Sequence, residues 1–334
     1  MLAFSAVSCG GKSADSSGDD DSFEATENVA VASTDKVEAI PDGAENELVY
    51  LGVDDPYELY LNGEWNWDAW SEIMTEYVTN ATGDQTRYGI NGFFKQHITQ
   101  QTGKTLVNYD AETGTFSSNL NDPDIEAAQN MLYDLNKNGI ILNGWIGNAR
   151  EAFTKGCLFY SMGDWGYSAN NGPREDDDWH VVPIPQYTKN PQMITTSDMN
   201  AFMWVRGSEK SEAMKCWLEC CRVTYTDPDY KETNKQKFME NNPYLTDEMY
   251  NVKMDIVSAD RYMIYDYAYG ISVGMGDPNG FDGNNSLTDT LYIQSSQEDA
   301  EGNLLTWAKV REQYSPVVES EIKEINKKIA NMTN

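Results

Sequence analysis

The chain has 334 residues, 40% hydrophobic and 23% charged, enough apolar content to bury one large or two medium cores and too much for a disordered protein. Its 54 Asp and Glu against 24 Lys and Arg give a formal charge of -30, a field that repels phosphate backbones and argues against nucleic-acid partners. That acidity reads first as a solvated surface and identifies no ligand.

Met1 to Ser8 form a short apolar run that ends at Cys9 and is followed by Gly10 and Gly11. Ala6, Val7, Ser8 and Cys9 resemble the end of a lipoprotein signal, in which small residues precede an acylated cysteine. Cys9 is therefore the expected lipidation site and residues 1–9 a signal remnant. Residues 10–46 are rich in Ser, Gly, Asp, Glu and Ala, with Asp19, Asp20 and Asp21 in a run. Such a segment cannot bury enough surface to fold. It is expected to be a disordered acidic tether reaching roughly 35 Å as a flexible coil. No segment is long and apolar enough to span a bilayer, so a lipid is the only membrane anchor expected.

Ordered structure is expected from Glu47-Leu48-Val49-Tyr50-Leu51, a short strand pattern. Asn66 can cap a helix whose stripe is Trp67, Trp70, Ile73, Met74, Tyr77 and Val78. Tyr88 to Phe94 reads as a strand leading into a turn. Asp122-Pro123 opens a helix with Ile125, Ala128, Leu132 and Leu135 inward and Gly139 closing it. A short helix around Arg150 to Lys155 feeds the strand Cys157 to Met162, which ends in Gly163-Asp164-Trp165-Gly166. Strand patterns follow at Trp179 to Pro183 and Asn200 to Arg206. Ser208 begins a helix with Met214, Trp217, Leu218 and Cys221 inward; Thr246 begins another with Met249, Val252 and Ile256. Gly270 to Gly283 reads as a glycine-rich loop, and Ser315-Pro316 as cap and first position of a closing helix carrying Val318, Ile322, Ile325 and Ile329. Strands alternating with helices indicate an α/β protein without internal repeats.

Five cysteines, Cys9, Cys157, Cys216, Cys220 and Cys221, are an odd number, and three share one helical stretch. Cys216 and Cys220 would point in parallel directions from one helix face, poor geometry for a bridge, so free thiols are expected. With only His97 and His180 in the chain, no metal site is expected. Asp277, Asn279 and Asp282 hint at calcium, but their spacing fails a twelve-residue EF-hand loop.

The site the residues point to is Gly163-Asp164-Trp165-Gly166, because α/β proteins bind ligands at strand ends. Trp165 could stack on the apolar face of a sugar and Asp164 could accept bonds from its hydroxyls. Phe93 and Phe94 sit at another strand end, where core packing is the plainer reading. No nucleophile elbow, His-Glu-x-x-His, P-loop or dinucleotide-binding motif occurs, so no cofactor and no catalytic residues are expected. Glycoside hydrolysis, which needs only two suitably spaced carboxylates, is the enzyme alternative.

Asp55-Pro56-Tyr57-Glu58-Leu59-Tyr60, Gly63-Glu64-Trp65-Asn66-Trp67-Asp68, Tyr88-Gly89-Ile90, Ala152-Phe153 through Gly156, Met162-Gly163-Asp164-Trp165-Gly166 and Trp179-His180-Val181-Val182-Pro183-Ile184-Pro185 follow one another in an order that resembles the family 1 extracellular solute-binding proteins of bacterial sugar ABC importers, the class that includes maltose-binding protein. The resemblance covers roughly residues 47–222. It implies a two-lobed periplasmic-binding-protein type II architecture, a carbohydrate in the cleft, delivery to ABC permease subunits and a monomer on the outer face of the cell membrane. It also implies ring stacking by Trp165 and by Phe93 or Phe94, with Trp307 as a third ring.

Residues 55–197 and 270–334 would form a complete second lobe, whereas the first would retain only 47–54 and 198–269. An incomplete first lobe should expose apolar surface and lack half of the sugar contacts, so weak binding or a degenerate, non-binding paralogue is also expected from this departure.

Overall fold

A computed structural model describes residues 54–83, 85–161, 179–190, 192–196, 207–258 and 260–333. The expected lipidation site Cys9, the tether, the strands at 47–51 and 200–206, and the Asp164-Trp165 turn lie outside the described residues. What is described is a mixed α/β protein with three two-stranded sheets among helices.

Helix α1 (Pro56–Leu61) is followed by α2 (Trp67–Thr79), which starts where Asn66 Oδ1 accepts the Asp68 and Ala69 amides at 3.0 and 3.2 Å. Capping satisfies amides that have no intrahelical partner, which is why the helix begins there. Trp67, Trp70, Ile73, Met74 and Tyr77 are its buried stripe. Strand β1 (Tyr88–Gly92) leads into α3 (Lys95–Gln100), then the hairpin β2 (Val107–Asp110) and β3 (Thr115–Ser118). Helix α4 (Pro123–Lys137) opens at Asp122, whose carboxylate accepts the Asp124 amide at 2.9 Å; Gly139, at φ 71°, turns the chain out of it. After α5 (Ala149–Thr154), strand β4 (Cys157–Ser161) pairs parallel with β1, Ile90 opposite Phe159 and Gly92 opposite Ser161. Trp65, Trp67, Trp70, Met74, Ile90, Phe94, Ile98, Leu132 and Ile141 pack as one core around this pair.

Strand β5 (Ile194–Thr196) pairs parallel with β6 (Tyr262–Ile264). Between them lie α6 (Ser211–Thr226), α7 (Pro228–Asn241) and α8 (Asp247–Ile256). A second core gathers Leu106, Leu120, Ile125, Met275, Leu291, Trp307, Val310 and Val318 from β2, α4 and the C-terminal helices α9 (Ala268–Ile271), α10 (Val273–Gly276), α11 (Leu287–Ile293) and α12 (Trp307–Thr333).

Several elements differ from the sequence reading. Residues 179–185 carry no strand pairing; Pro183 instead accepts the Trp65 indole N–H at 2.7 Å, and Gln186 bridges to Asn66. The 270–283 segment holds two one-turn helices rather than a continuous loop. Pro316 does not start a helix: it lies inside α12, the buried positions Val310, Tyr314, Val318 and Ile322 running past it on one face. An interior proline removes a backbone hydrogen bond and costs about 3 kcal/mol, which this continuous stripe must outweigh. The α6 face that reads as inward is not buried; neither α6 nor α7 buries a residue, and Trp217 and Leu218 are half-exposed. Amphipathic spacing fixes which residues share a face, not whether another layer covers it.

Cys157, Cys216, Cys220 and Cys221 are all free thiols. Burial pushes the Cys157 thiol up to about 12, which makes it unreactive at neutral pH. Among the described residues no helix is long and apolar enough to cross a membrane.

Candidate functional site

Strands β1 and β4 end side by side. Gly92 takes φ 103°, a left-handed conformation that a side chain rarely adopts, and a Cβ there would lie 2.2 Å from the Ser161 carbonyl oxygen. Glycine thus lets the β1 end press against the β4 end. The Phe93 amide donates to the Ser161 carbonyl at 3.1 Å, and the Ser161 hydroxyl returns a bond to the Phe93 carbonyl at 2.8 Å. The turn separates the two phenylalanines. Phe93 is 54% exposed, while Phe94 is 1% exposed with its edge against Trp70.

Beside this turn runs the loop 142–147, and both strands hold it. Asn91, in β1, donates through Nδ2 to the Leu142 and Gly144 carbonyls at 2.7 and 3.0 Å. Tyr160, in β4, donates its hydroxyl to the Ile146 carbonyl at 2.5 Å. The fixed carbonyls bracket Trp145, which is 60% exposed and packs on Phe93 with ring centroids 4.6 Å apart and planes inclined by 49°. Two large rings are thereby offered to solvent by a scaffold whose backbone is tied down on both sides. Their place, at the carboxyl ends of parallel strands, is where α/β proteins bind ligands. The pair offers two apolar ring faces inclined to one another, either of which could meet the face of a sugar ring or another planar amphipathic group.

Lys95 opens α3 two residues after Phe93 and is 9% exposed. Its ammonium lies 5.8 Å from the Phe94 ring centre and donates to Asn143 Oδ1 at 3.4 Å. Burial lowers its pKa from 10.5 to about 8. The unfolded chain then holds more protons than the folded one between about pH 8 and 10.5, so stability should rise with pH across that window. Below pH 8 both states are protonated and the cost of burying the charge, about 3 kcal/mol, is fully present. Lys95→Met is accordingly expected to raise the unfolding free energy at pH 7 by about that amount. Urea titrations of both proteins at neutral and alkaline pH measure it; a variant that is less stable at pH 7 would refute the assignment.

The expected site residues divide. Phe93 is exposed at the end of β1. Phe94 and Trp307 are corrected to core residues: Trp307 is fully buried in the second core and offers no face to a ligand. Asp164 and Trp165 lie outside the described residues, in the chain that continues from Ser161. Trp145 was missed because its loop has no periodicity; its signal was the glycine-flanked run Gly144-Trp145-Ile146-Gly147, the same chemistry that singled out Trp165.

A second concavity, lined by Tyr60, Trp65, Pro183, Met193, Ile194 and Arg261, holds about 50 Å³, too little for a sugar ring. There Asp255 takes the Tyr60 hydroxyl and the Arg261 guanidinium at 2.5 Å each, an arrangement that joins α8 to α1. Burial, reinforced by the Asp255 carboxylate, pushes the Tyr60 phenol up to about 12, so it is a structural donor. The Asp277 and Asp282 carboxylates accept nearby backbone amides in the turns 277–279 and 282–285. Among the described residues no group of three or more His, Cys, Asp or Glu side chains converges to hold a metal ion. No family model, curated protein or solved structure matches the chain.

Proposed function

We propose that this chain is a carbohydrate-binding component of a bacterial ABC importer, an extracellular solute-binding protein of two-lobed architecture tethered outside the cell through Cys9. The observation that carries the reading is the exposed Phe93–Trp145 pair, fixed at the ends of β1 and β4 by Asn91, Tyr160 and Gly92. Rings exposed this far cost free energy unless something covers them, and a rigid scaffold beneath them favours recognition over packing. The order of the sequence segments supports a sugar as that partner.

Two rings on an open surface enclose little of a ligand, so binding is expected to be weak. A thermal-unfolding screen over mono- and oligosaccharides should find a ligand that raises the midpoint with concentration, stabilising by about 2.7 kcal/mol at a hundredfold excess over Kd. No sugar should be consumed. Trp145→Ala should weaken that ligand at least tenfold, about 1.4 kcal/mol. Because the ring is a surface group, unfolding in urea should change by no more than about 0.5 kcal/mol. An undiminished shift in the Phe93→Ala, Trp145→Ala double variant would remove the rings from the site, and release of reducing ends would turn the reading to hydrolysis.

A further inference from the structure

We infer that the strand-end platform selects an acidic saccharide, one bearing a single carboxylate on the bound ring, through the ammonium group of Lys95. The inference rests on the carbohydrate reading above and deepens it.

Lys95 is the feature of this site that sugar stacking leaves unexplained. It lies between the two ring-bearing segments, two residues from Phe93 in the chain and bonded to Asn143, which is two residues from Trp145. An ammonium has three protons to donate, and among the described residues Lys95 gives one, to a neutral amide oxygen at the long distance of 3.4 Å. No carboxylate among the described residues pairs with it. A buried cation is ordinarily paired, and this chain has 54 acidic residues with which to pair it.

The platform therefore combines two exposed rings with an uncompensated positive charge. A pyranose carrying a carboxylate matches the set: its face for the rings and its acid for Lys95. One positive charge balances one negative charge. A phosphate monoester, close to a dianion at neutral pH, would leave excess negative charge desolvated on a protein already at -30.

The test is calorimetric titration of the full chain with uronic acid tetrasaccharides, of galacturonate, mannuronate and a glucuronate-bearing xylan, each beside its neutral methyl ester. The acid of at least one pair should bind about tenfold more tightly than its ester, the effect of one charge-assisted contact. That preference should vanish in Lys95→Met, persist in Lys95→Arg, and fade as the pH rises past about 8, where Lys95 loses its charge. Circular dichroism melts establish that both variants fold. Acid and ester bound equally by the unmodified protein would overturn acid selection and leave the carbohydrate reading standing. An acid preference surviving in Lys95→Met would overturn the role of Lys95, and binding of neither member of any pair would overturn acid selection, the carbohydrate reading falling with it only where the thermal screen also finds no saccharide.

Discussion

Trp307→Ala is expected to lower the unfolding free energy by about 3–5 kcal/mol, the usual cost of deleting a buried indole. The ring opens α12 and is fully buried in the second core, which also holds Val107 of β2, Ile125 of α4, Met275 of α10 and Leu291 of α11. Alanine would leave a cavity at this junction, and a close-packed interior relaxes only partly around such a hole. Trp307→Phe separates the causes. The indole N–H is buried and has no hydrogen-bond partner among the described residues, so phenylalanine loses area but also removes an unmet donor. Its loss should be only about 1–2 kcal/mol. Urea unfolding followed by far-ultraviolet circular dichroism measures both. Saccharide affinity at protein concentrations where the variant is folded should not change, since the ring is remote from Phe93 and Trp145 by packing cluster. An alanine variant within 1 kcal/mol of the parent, but with lost affinity, would return Trp307 to the surface as a ligand ring.

What could be read before folding was local. Asn66, Asp122 and Thr246 announce helices because a cap is a contact between residues two or three apart, and each caps as expected. Cys157 to Ser161 announces a strand because five consecutive side chains suffice to do so. Errors arose where local grammar competed with tertiary packing. Ser315-Pro316 has the form of a helix start, yet Val310, Tyr314 and Val318 share one buried face, and the core holds the helix together through the proline. Met214, Trp217, Leu218 and Cys221 share a helix face, but nothing in their spacing tells whether a partner layer exists. The site was half legible for the same reason. A strand end can be located by pattern, and Phe93 with it. Trp145 becomes its neighbour only because Asn91 and Tyr160, 54 and 15 residues away in the chain, bind the same loop. That position 92 requires glycine shows only once β4 is alongside, where a Cβ would lie 2.2 Å from the Ser161 carbonyl oxygen.

Asp266 is the residue whose importance the sequence conceals most, and its replacement by alanine should also cost about 3–5 kcal/mol. Its carboxyl group is fully buried between α9, α11 and β2, accepting the Ala268 amide at 2.9 Å, the Leu106 amide at 3.1 Å and the Tyr292 hydroxyl. Tyr292 Oη in turn takes a long bond, 3.4 Å, from Gln100, the last residue of α3. Alanine would strand three buried donors, and each unmet donor costs about 1–3 kcal/mol. Asparagine retains one acceptor oxygen but turns an amide toward the Leu106 N–H, so its loss should lie between parent and alanine. The pH dependence tests the same environment independently. Burial raises the Asp266 pKa above its ordinary value, although its hydrogen bonds pull the other way. Between the ordinary carboxylate range and that raised value the folded state holds a proton that the unfolded state has lost, so stability falls as pH rises through the window. Other carboxylates titrate there as well, and only the difference between the parent and Asp266→Asn isolates this one. The parent should gain stability relative to the asparagine variant as the pH is lowered, because protonation relieves the buried charge while the network remains. A difference independent of pH would mean that Asp266 stays ionised throughout, its three donors outweighing burial; an alanine variant within about 1 kcal/mol of the parent would mean that the knot is not buried at all. Since Gln100 ends the short helix that Lys95 begins, the asparagine variant also asks how firmly α3 must be held at one end for the strand-end platform at the other to keep its shape.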